Sequence, residues 1–325
     1  MNRRDVIRTA ALAGLAAALP GIALPQAKTG VVKKNAGYYR FNLGELELVS
    51  VTDGHIPVKP LQPVIAPGIP AELVNKELEA DFLPIGESDF AINVLVIKQN
   101  SRIILIDAGS GLVMGDIAGR FVENLTAAGI KTTDVTDIVI THMHGDHIGG
   151  LLNVDGSLVF PRAAYYLPAK EHTFWTAARP DFSRRKSPHP DWDKGGLATA
   201  QKTLEAIKRK VHLYKDGDVL LNCLEPRTVP GHTPGHSILT IRSGEETLVH
   251  IADTVHSPLL LAHPEWGTEW DTDFEQGITS RKSLLKELAE KRLTTYGYHL
   301  PWPGIGHIRS RNDGFEWVPR PVFTP

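Results

Sequence analysis

The sequence predicts an α+β chain, with two sheets and helices packed outside them. Three observations carry that expectation. Short apolar runs of β type alternate with amphipathic helical stretches in both halves of the chain. The composition is that of a globular protein, 42% hydrophobic, 22% charged and 7% aromatic, too apolar for disorder and free of low-complexity bias. After the first segment no shift in composition divides the 325 residues, which favours one large domain over two. Lysine plus arginine (35) nearly cancels aspartate plus glutamate (37), so no strong field draws the chain toward nucleic acid or anionic lipid.

Residues 1–27 read as an export signal. Arg3 and Arg4 form a twin-arginine pair, Arg8 adds charge, and an alanine- and leucine-rich run extends from Ala10 to Leu19. That run is well short of the roughly 20 residues a bilayer requires, and Pro20 and Gly21 break it, so no membrane span is expected. Cleavage is expected after Ala23 or Ala27, the later site leaving a mature domain over residues 28–325, periplasmic or secreted. Twin-arginine export carries proteins already folded and loaded with cofactor, which suits a metalloenzyme. Losing three Arg and one Asp moves the formal net charge from −2 to about −4, making nucleic acid a still poorer partner. Cys223 is the single cysteine and cannot form an internal disulfide; within the apolar run Val219 to Leu224 it reads as a small core residue.

The mature chain then reads in order. Val94 to Ile97 and Ile103 to Ile106 look like strands paired across the turn Gln99–Ser101. Ile138 to Ile140 and Ala163 to Leu167 follow as buried strands. Leu197 to Lys210 has apolar residues at Leu197, Leu204 and Ile207 and reads as an amphipathic helix. Hairpins are expected at Asp216-Gly217 and Ser243-Gly244, then a helix over Ser280 to Lys291 with Leu284, Leu285 and Leu288 on one face. Two stretches resist the pattern: His55 to Pro70, with five prolines, and Arg179 to Gly196. Each reads as a surface loop or as a lid. The aromatics Phe90, Trp175, Phe182 and Trp192 nearby are candidate substrate-pocket residues.

Fourteen histidines are the unusual feature of the composition, and three of them fall in Thr141-His142-Met143-His144-Gly145-Asp146-His147, directly after a strand. Imidazole binds zinc-like ions and a carboxylate adds charge and a second geometry. In an extended turn His142 and His144 can point one way while Asp146 and His147 point to a second place nearby, so one loop can serve two ions. Downstream, Gly231-His232-Thr233-Pro234-Gly235-His236-Ser237, Ile251-Ala252-Asp253-Thr254 and Tyr298-His299-Leu300-Pro301-Trp302-Pro303-Gly304 all follow β-like runs, where functional loops gather.

The series His142-x-His144-x-Asp146-His147, His232, Asp253, His299 resembles the metallo-β-lactamase-fold superfamily, and the resemblance covers nearly all of the mature chain. It implies a four-layer αββα sandwich with a dinuclear metal site at one edge of the two sheets. His142, His144 and His232 would hold the first ion; Asp146, His147 and His299 the second; Asp253 would bridge both. Asp107, in Ile106-Asp107-Ala108-Gly109, matches a residue that supports the ligands from behind.

The finer resemblance is to the exported branch containing methyl parathion hydrolase and related quorum-quenching lactonases. It rests on the twin-arginine signal, Thr52-Asp53-Gly54 on the first strand, Asp253-Thr254-Val255-His256, and His299-Leu300-Pro301-Trp302-Pro303-Gly304. Several lactonases of the superfamily carry a catalytic tyrosine three residues after the bridging aspartate; His256 stands there, beside the site, and no tyrosine acid is carried over. The resemblance implies two divalent ions per chain (zinc first, with Mn, Co or Fe as alternatives), a homodimer, and attack by a bridging hydroxide on a lactone, an aryl or alkyl ester, or a phosphotriester. Asp253 would act as the bridge, and Asp146 is a candidate proton carrier to the leaving group.

An uncharged, partly apolar substrate is expected, because the only basic run, Arg184-Arg185-Lys186, reads as solvated loop. Competing readings are a β-lactamase, although zinc β-lactamases lack a counterpart of Asp253, a persulfide dioxygenase with one iron, and a metal-binding protein without activity. A serine hydrolase is disfavoured, since no Gly-x-Ser-x-Gly occurs.

Overall fold

The computed structural model describes residues 35–322; the expected export signal at residues 1–27 lies outside them. The elements in chain order are β1 (Tyr38–Leu43), β2 (Leu46–Val58), α1 (Ala71–Ala80), β3 (Ser88–Gln99), β4 (Arg102–Ile106), α2 (Phe121–Ala127), β5 (Asp137–Val139), α3 (Gly145–Ile148), β6 (Ala164–Pro168), α4 (Ala169–Thr176), α5 (Pro190–Ile207) and β7 (Val211–Tyr214). The second half adds β8 (Leu224–Thr228), β9 (Ser237–Ser243), β10 (Glu246–His250), α6 (Leu259–Ala262), α7 (Phe274–Glu290), β11 (Thr294–Tyr296), β12 (Ile305–Arg311) and β13 (Gly314–Pro319). One sheet is ordered β1 through β7, the other β13-β12-β11-β10-β9-β8.

Alternation along the strands places these sheets face to face. In β2, Leu46 and Leu48 point inward to Leu239, Ile241 and Leu248 of the opposite sheet, while Val49 and Val51 point outward to Phe121 and Leu125 of α2. Ser50 joins the two sheets through a 2.7 Å hydrogen bond with the Tyr296 hydroxyl. The outer face of the first sheet is closed by α2, α4 and α5, through residues such as Trp175, Ala200 and Leu204. The outer face of the second is closed by α1, α6 and α7, through Leu78, Leu260, Leu284 and Leu285. The result is the four-layer αββα sandwich.

The predicted strands at 94–97, 103–106, 138–140 and 163–167 lie within or overlap β3 to β6, and Ser243-Gly244 turns the β9–β10 hairpin. Five readings need correction. The expected hairpin at Asp216-Gly217 is a crossing instead, because β7 pairs with β6 in the first sheet and β8 with β9 in the second. The irregular stretch from His55 begins as strand, since β2 runs to Val58; past Val51 it has no β1 partner, so Pro57 occupies a free edge and removes no ladder bond. The Thr52-Asp53-Gly54 motif lies on the second strand, because β1 precedes it. The stretch 179–196 ends in helix, as α5 starts at Pro190, which suits a first helical position and is followed by Asp191 and Asp193. Finally, α7 starts at Phe274, six residues before Ser280, with Asp273 Oδ1 accepting from the Gln276 N–H at 3.1 Å.

Cys223 is buried between the sheets, and burial pushes its thiol up to about 11. A thiol so shielded has little thiolate at neutral pH. Native protein at pH 7.5 should therefore leave Cys223 unmodified by a disulfide reagent over an hour, with one thiol per chain titrating in denaturant. Rapid native labelling would contradict this placement.

Candidate metal centre

Parallel pairing brings the candidate residues together. β4 and β5 are parallel neighbours, so the loops leaving their ends lie side by side, with Asp107 after β4 and Thr141 to His147 after β5. In the other sheet β10 and β11 are parallel neighbours, which places Asp253 beside His299. The loop between β8 and β9 adds His232.

Seven residues converge in two groups: His142, His144, His232 and Asp253, and Asp146, His147, Asp253 and His299. Within each group the ligand-type atoms lie within 4.8 Å of one another, and Asp253 belongs to both. Its Oδ2 is 3.2 Å from the Nε2 atoms of both His232 and His299, while its Oδ1 is 2.9 Å from His147 Nε2. Asp146 Oδ2 is 3.3 Å from His299 Nε2 and 3.6 Å from His147 Nε2. These are the seven positions that the sequence groups.

What each ring does with its outer nitrogen decides what it offers inward. His147 Nδ1 donates to Asp107 Oδ2 at 2.8 Å, and Asp107 also accepts from the Thr141 N–H and hydroxyl. His232 Nδ1 donates to Asp271 Oδ1 at 3.0 Å, His299 Nδ1 to the Ala91 carbonyl at 2.8 Å, and His142 Nδ1 to Thr141 Oγ1 at 3.1 Å. With those protons committed outward, each Nε2 faces the centre, the arrangement metal-binding imidazoles adopt.

Three inward nitrogens crowd one another: His144 Nδ1 is 3.1 Å from His142 Nε2 and 2.8 Å from His232 Nε2. His144 Nε2 is buried without a hydrogen-bond partner, and His147 Nε2 and Asp253 Oδ1 have only each other, 2.9 Å apart. A cation can satisfy three nitrogens that face one another, which protons cannot do for all of them at once. The donors are nitrogen and oxygen without thiolate, which fits divalent ions in a hydrolytic site.

Electrostatics differ among the candidate ligands. Burial, reinforced by the charge of neighbouring imidazoles, holds His142 and His144 well below the usual histidine range, so their lone pairs are free. Burial also opposes charge on His147 and His299, but Asp253 and Asp146 outweigh it, holding His147 well above its ordinary value and pushing His299 up to about 9. Burial is likewise outweighed at His232 of the first group, where Asp253 and Asp271 raise it, so an ion entering either group displaces protons.

His256 is buried against the centre, its Nε2 3.2 Å from Asp253 Oδ2 and its ring stacked on His299 at 5.1 Å; burial pulls it down to about 4, so it is neutral. A cavity of about 200 Å³ opens above the two groups, lined by Ile56, Met114, Trp192 and Trp270 beside His256 and the candidate ligands. Of the four aromatics expected to line a pocket, Trp192 does, with its ring 5.3 Å from that of His144. The other three sit one layer back. Phe90 is buried behind Trp270, 5.7 Å edge-on; Trp175 is buried with its Nε1 donating to Glu171 at 2.7 Å; Phe182 packs on Trp175. Large aromatic area is more readily buried in the second layer than left at an opening.

Four supporting residues escaped sequence reasoning. Glu171 accepts from Met143 N, Gly235 N and Trp175 Nε1, so one buried carboxylate clamps both histidine-bearing loops. Asp271 orients His232 and is held by buried Arg281 at 3.2 Å. His236 accepts the Asp253 N–H at 3.0 Å. Asp53, the extra residue of the bulge in β2, accepts from Ser110, Gly119 and Phe121 and so fixes the loop that starts at Asp107. The Thr52-Asp53-Gly54 motif and the histidine motif contained two of these; nothing local marks Glu171 or Asp271.

The arrangement has known counterparts. The metallo-beta-lactamase superfamily model matches residues 88–299, more than half of the chain. Among solved structures, AidC, a dizinc quorum-quenching lactonase in complex with a product homoserine, is 36% identical over 89% of this chain and 99% of its own, at a TM-score of 0.85. The hydrolase AbOPH of the beta lactamase superfamily is 29% identical, covering 90% of this chain and 100% of its own, with a TM-score of 0.81. A probable metallo-hydrolase of Mycobacterium tuberculosis is 24% identical over 197 residues, 50% of this chain; the match spans 56% of that relative, about half its length. With the ligand geometry, the sandwich and the matched residues in agreement, this chain belongs to the metallo-β-lactamase superfamily.

Proposed function

We propose that the protein is a dizinc hydrolase of small uncharged lactones or esters, with His142, His144 and His232 holding one ion, Asp146, His147 and His299 the other, and Asp253 both. The observation that carries this reading is the juxtaposition of two groups sharing one carboxylate with an apolar cavity above them. The likeness to a lactonase and to metallo-hydrolases supports the metal-dependent hydrolase class; the substrate is read from the wall. Among the residues lining the cavity there is no Lys or Arg, so a polyanionic substrate finds no partner, whereas an acyl or aryl group can lie against Ile56, Met114, Trp192 and Trp270. The likeness to a lactonase with bound homoserine product supports the same class. The second group, present and complete, favours two ions over the single iron of a dioxygenase.

Held by these seven residues, two divalent ions would supply the acidity that makes hydroxide available near neutral pH and the positive charge that draws electrons from a carbonyl. The chain's own residues do the rest. Asp107, Asp271 and the Ala91 carbonyl fix three of the imidazoles, so the site needs little reorganisation as charge develops. Asp146 lines the cavity and is our candidate to carry a proton to the leaving oxygen. Export and a homodimer remain part of the proposal on sequence grounds alone.

A panel of acyl-homoserine lactones, aryl lactones, aryl esters, a phosphotriester and a β-lactam tests the reading on zinc-loaded protein. The expected order of kcat/KM puts lactones or esters first, at least about a hundredfold above the β-lactam. A β-lactam or the phosphotriester at the top of that ranking would overturn it.

A further inference from the structure

Arg185 lies in a run that reads as solvated loop in the sequence, yet its side chain is 2% exposed. Its guanidinium lies 4.6 Å from the ring of Trp192 and 5.0 Å from that of Phe182. One arm meets Asp193 Oδ1 at 2.9 Å, and Nη1 donates to the Glu269 carbonyl at 3.0 Å. Those four contacts join two separate parts of the chain. Trp192 and Asp193 belong to the first turn of α5; Glu269 immediately precedes Trp270, in the strap that also carries Asp271. Trp192 and Trp270 are both walls of the cavity above the candidate metal ligands. A second tie, His189 Nε2 to Glu269 Oε2 at 3.3 Å, runs parallel to the first.

Trp192 is 43% exposed, so packing alone does not fix its indole over His144; the planar cation stacked on it does. We propose that Arg185 is a positioning residue that sets the width of the cleft, locking the Trp192 wall to the Trp270 wall and thereby selecting the size of the acyl or aryl group admitted. It touches no substrate. The inference rests on the proposed ester or lactone reading for its substrate arm, and on the geometry of Trp192 for its other arm.

The test compares native zinc-loaded protein with R185A, R185K and D193N. Lysine keeps a charge near Asp193 but loses the stack and the fork, so R185K serves if R185A does not fold. Two readouts are taken. The first is KM for a short-chain and a long-chain ester with the same leaving group: R185A and R185K should raise KM for the longer one about tenfold more than for the shorter, with kcat moving less than about twofold. The second is acrylamide quenching of Trp192, isolated as the difference from each variant's W192F counterpart: it should rise in R185A and R185K and partly in D193N. If no ester or lactone is turned over at all, the substrate reading has failed while quenching still decides the Arg185 assignment. Unchanged quenching together with unchanged chain-length selectivity would overturn the proposal. Loss of metal from R185K would overturn it too, since Arg185 would then be acting on the ligands and not on the walls.

Discussion

Asp253→Ala should lower kcat/KM by about a thousandfold or more and strip metal from both groups at once. Asp253 is the one residue common to both, with Oδ2 near His232 and His299 and Oδ1 near His147. Removing it withdraws the one negative charge shared by the two groups, leaving the first group's imidazoles facing one another without an anion between them and the second with Asp146 alone. Loss of about 4 kcal/mol of transition-state stabilisation corresponds to that thousandfold. The contrast is His299→Ala, which touches the second group alone and should leave the first ion in place. Elemental analysis of the two variants checks the distinction; equal retention of metal in both would contradict the shared role of Asp253.

Glu171→Gln should cost about 3 kcal/mol of stability, a fall in Tm of roughly 5–10 °C, without touching a candidate ligand. Burial raises the Glu171 carboxyl, and hydrogen bonds from Thr233, Trp175, Gly235 and Met143 work against that rise. An amide offers one acceptor oxygen where the carboxylate offers two, and turns two N–H groups toward donors that already point inward. The clamp then fails on at least one histidine loop. Calorimetry with zinc bound measures the shift, and a Tm within 2 °C of native would show that the two loops hold each other without it.

The fold was legible where period and burial agree. Val94 to Ile97 and Ile103 to Ile106 are central strands, buried on both faces, and their continuous apolar runs with a short turn announce them. β1 and the far end of β2 are edge or half-buried strands, so polar residues interrupt their pattern, and a proline at 57 conceals the strand it ends. The start of α5 was hidden because its first turn is all polar or aromatic and its apolar face begins only at Leu197.

The candidate ligands were legible for a different reason: five of them are histidines, a residue with few other reasons to cluster, and four candidates share one six-residue loop. Their supports were not. Glu171 and Asp271 reach the site from a helix and a strap distant in sequence, and carboxylates at such places look like ordinary surface. Sequence proximity to a loop does not say which layer a ring joins; Trp192 alone of the four reaches the opening, with the Arg185 guanidinium 4.6 Å from its ring.

The central claim is a site that needs two ions to act. The most direct measurement is an activity titration, in which chelator-stripped protein receives zinc in fractions of an equivalent and hydrolysis of the best ester or lactone is followed. The account predicts two ions bound per chain, with most of the rate appearing only as the second equivalent is added. Full activity at one equivalent, or saturation at a single ion per chain, would contradict it.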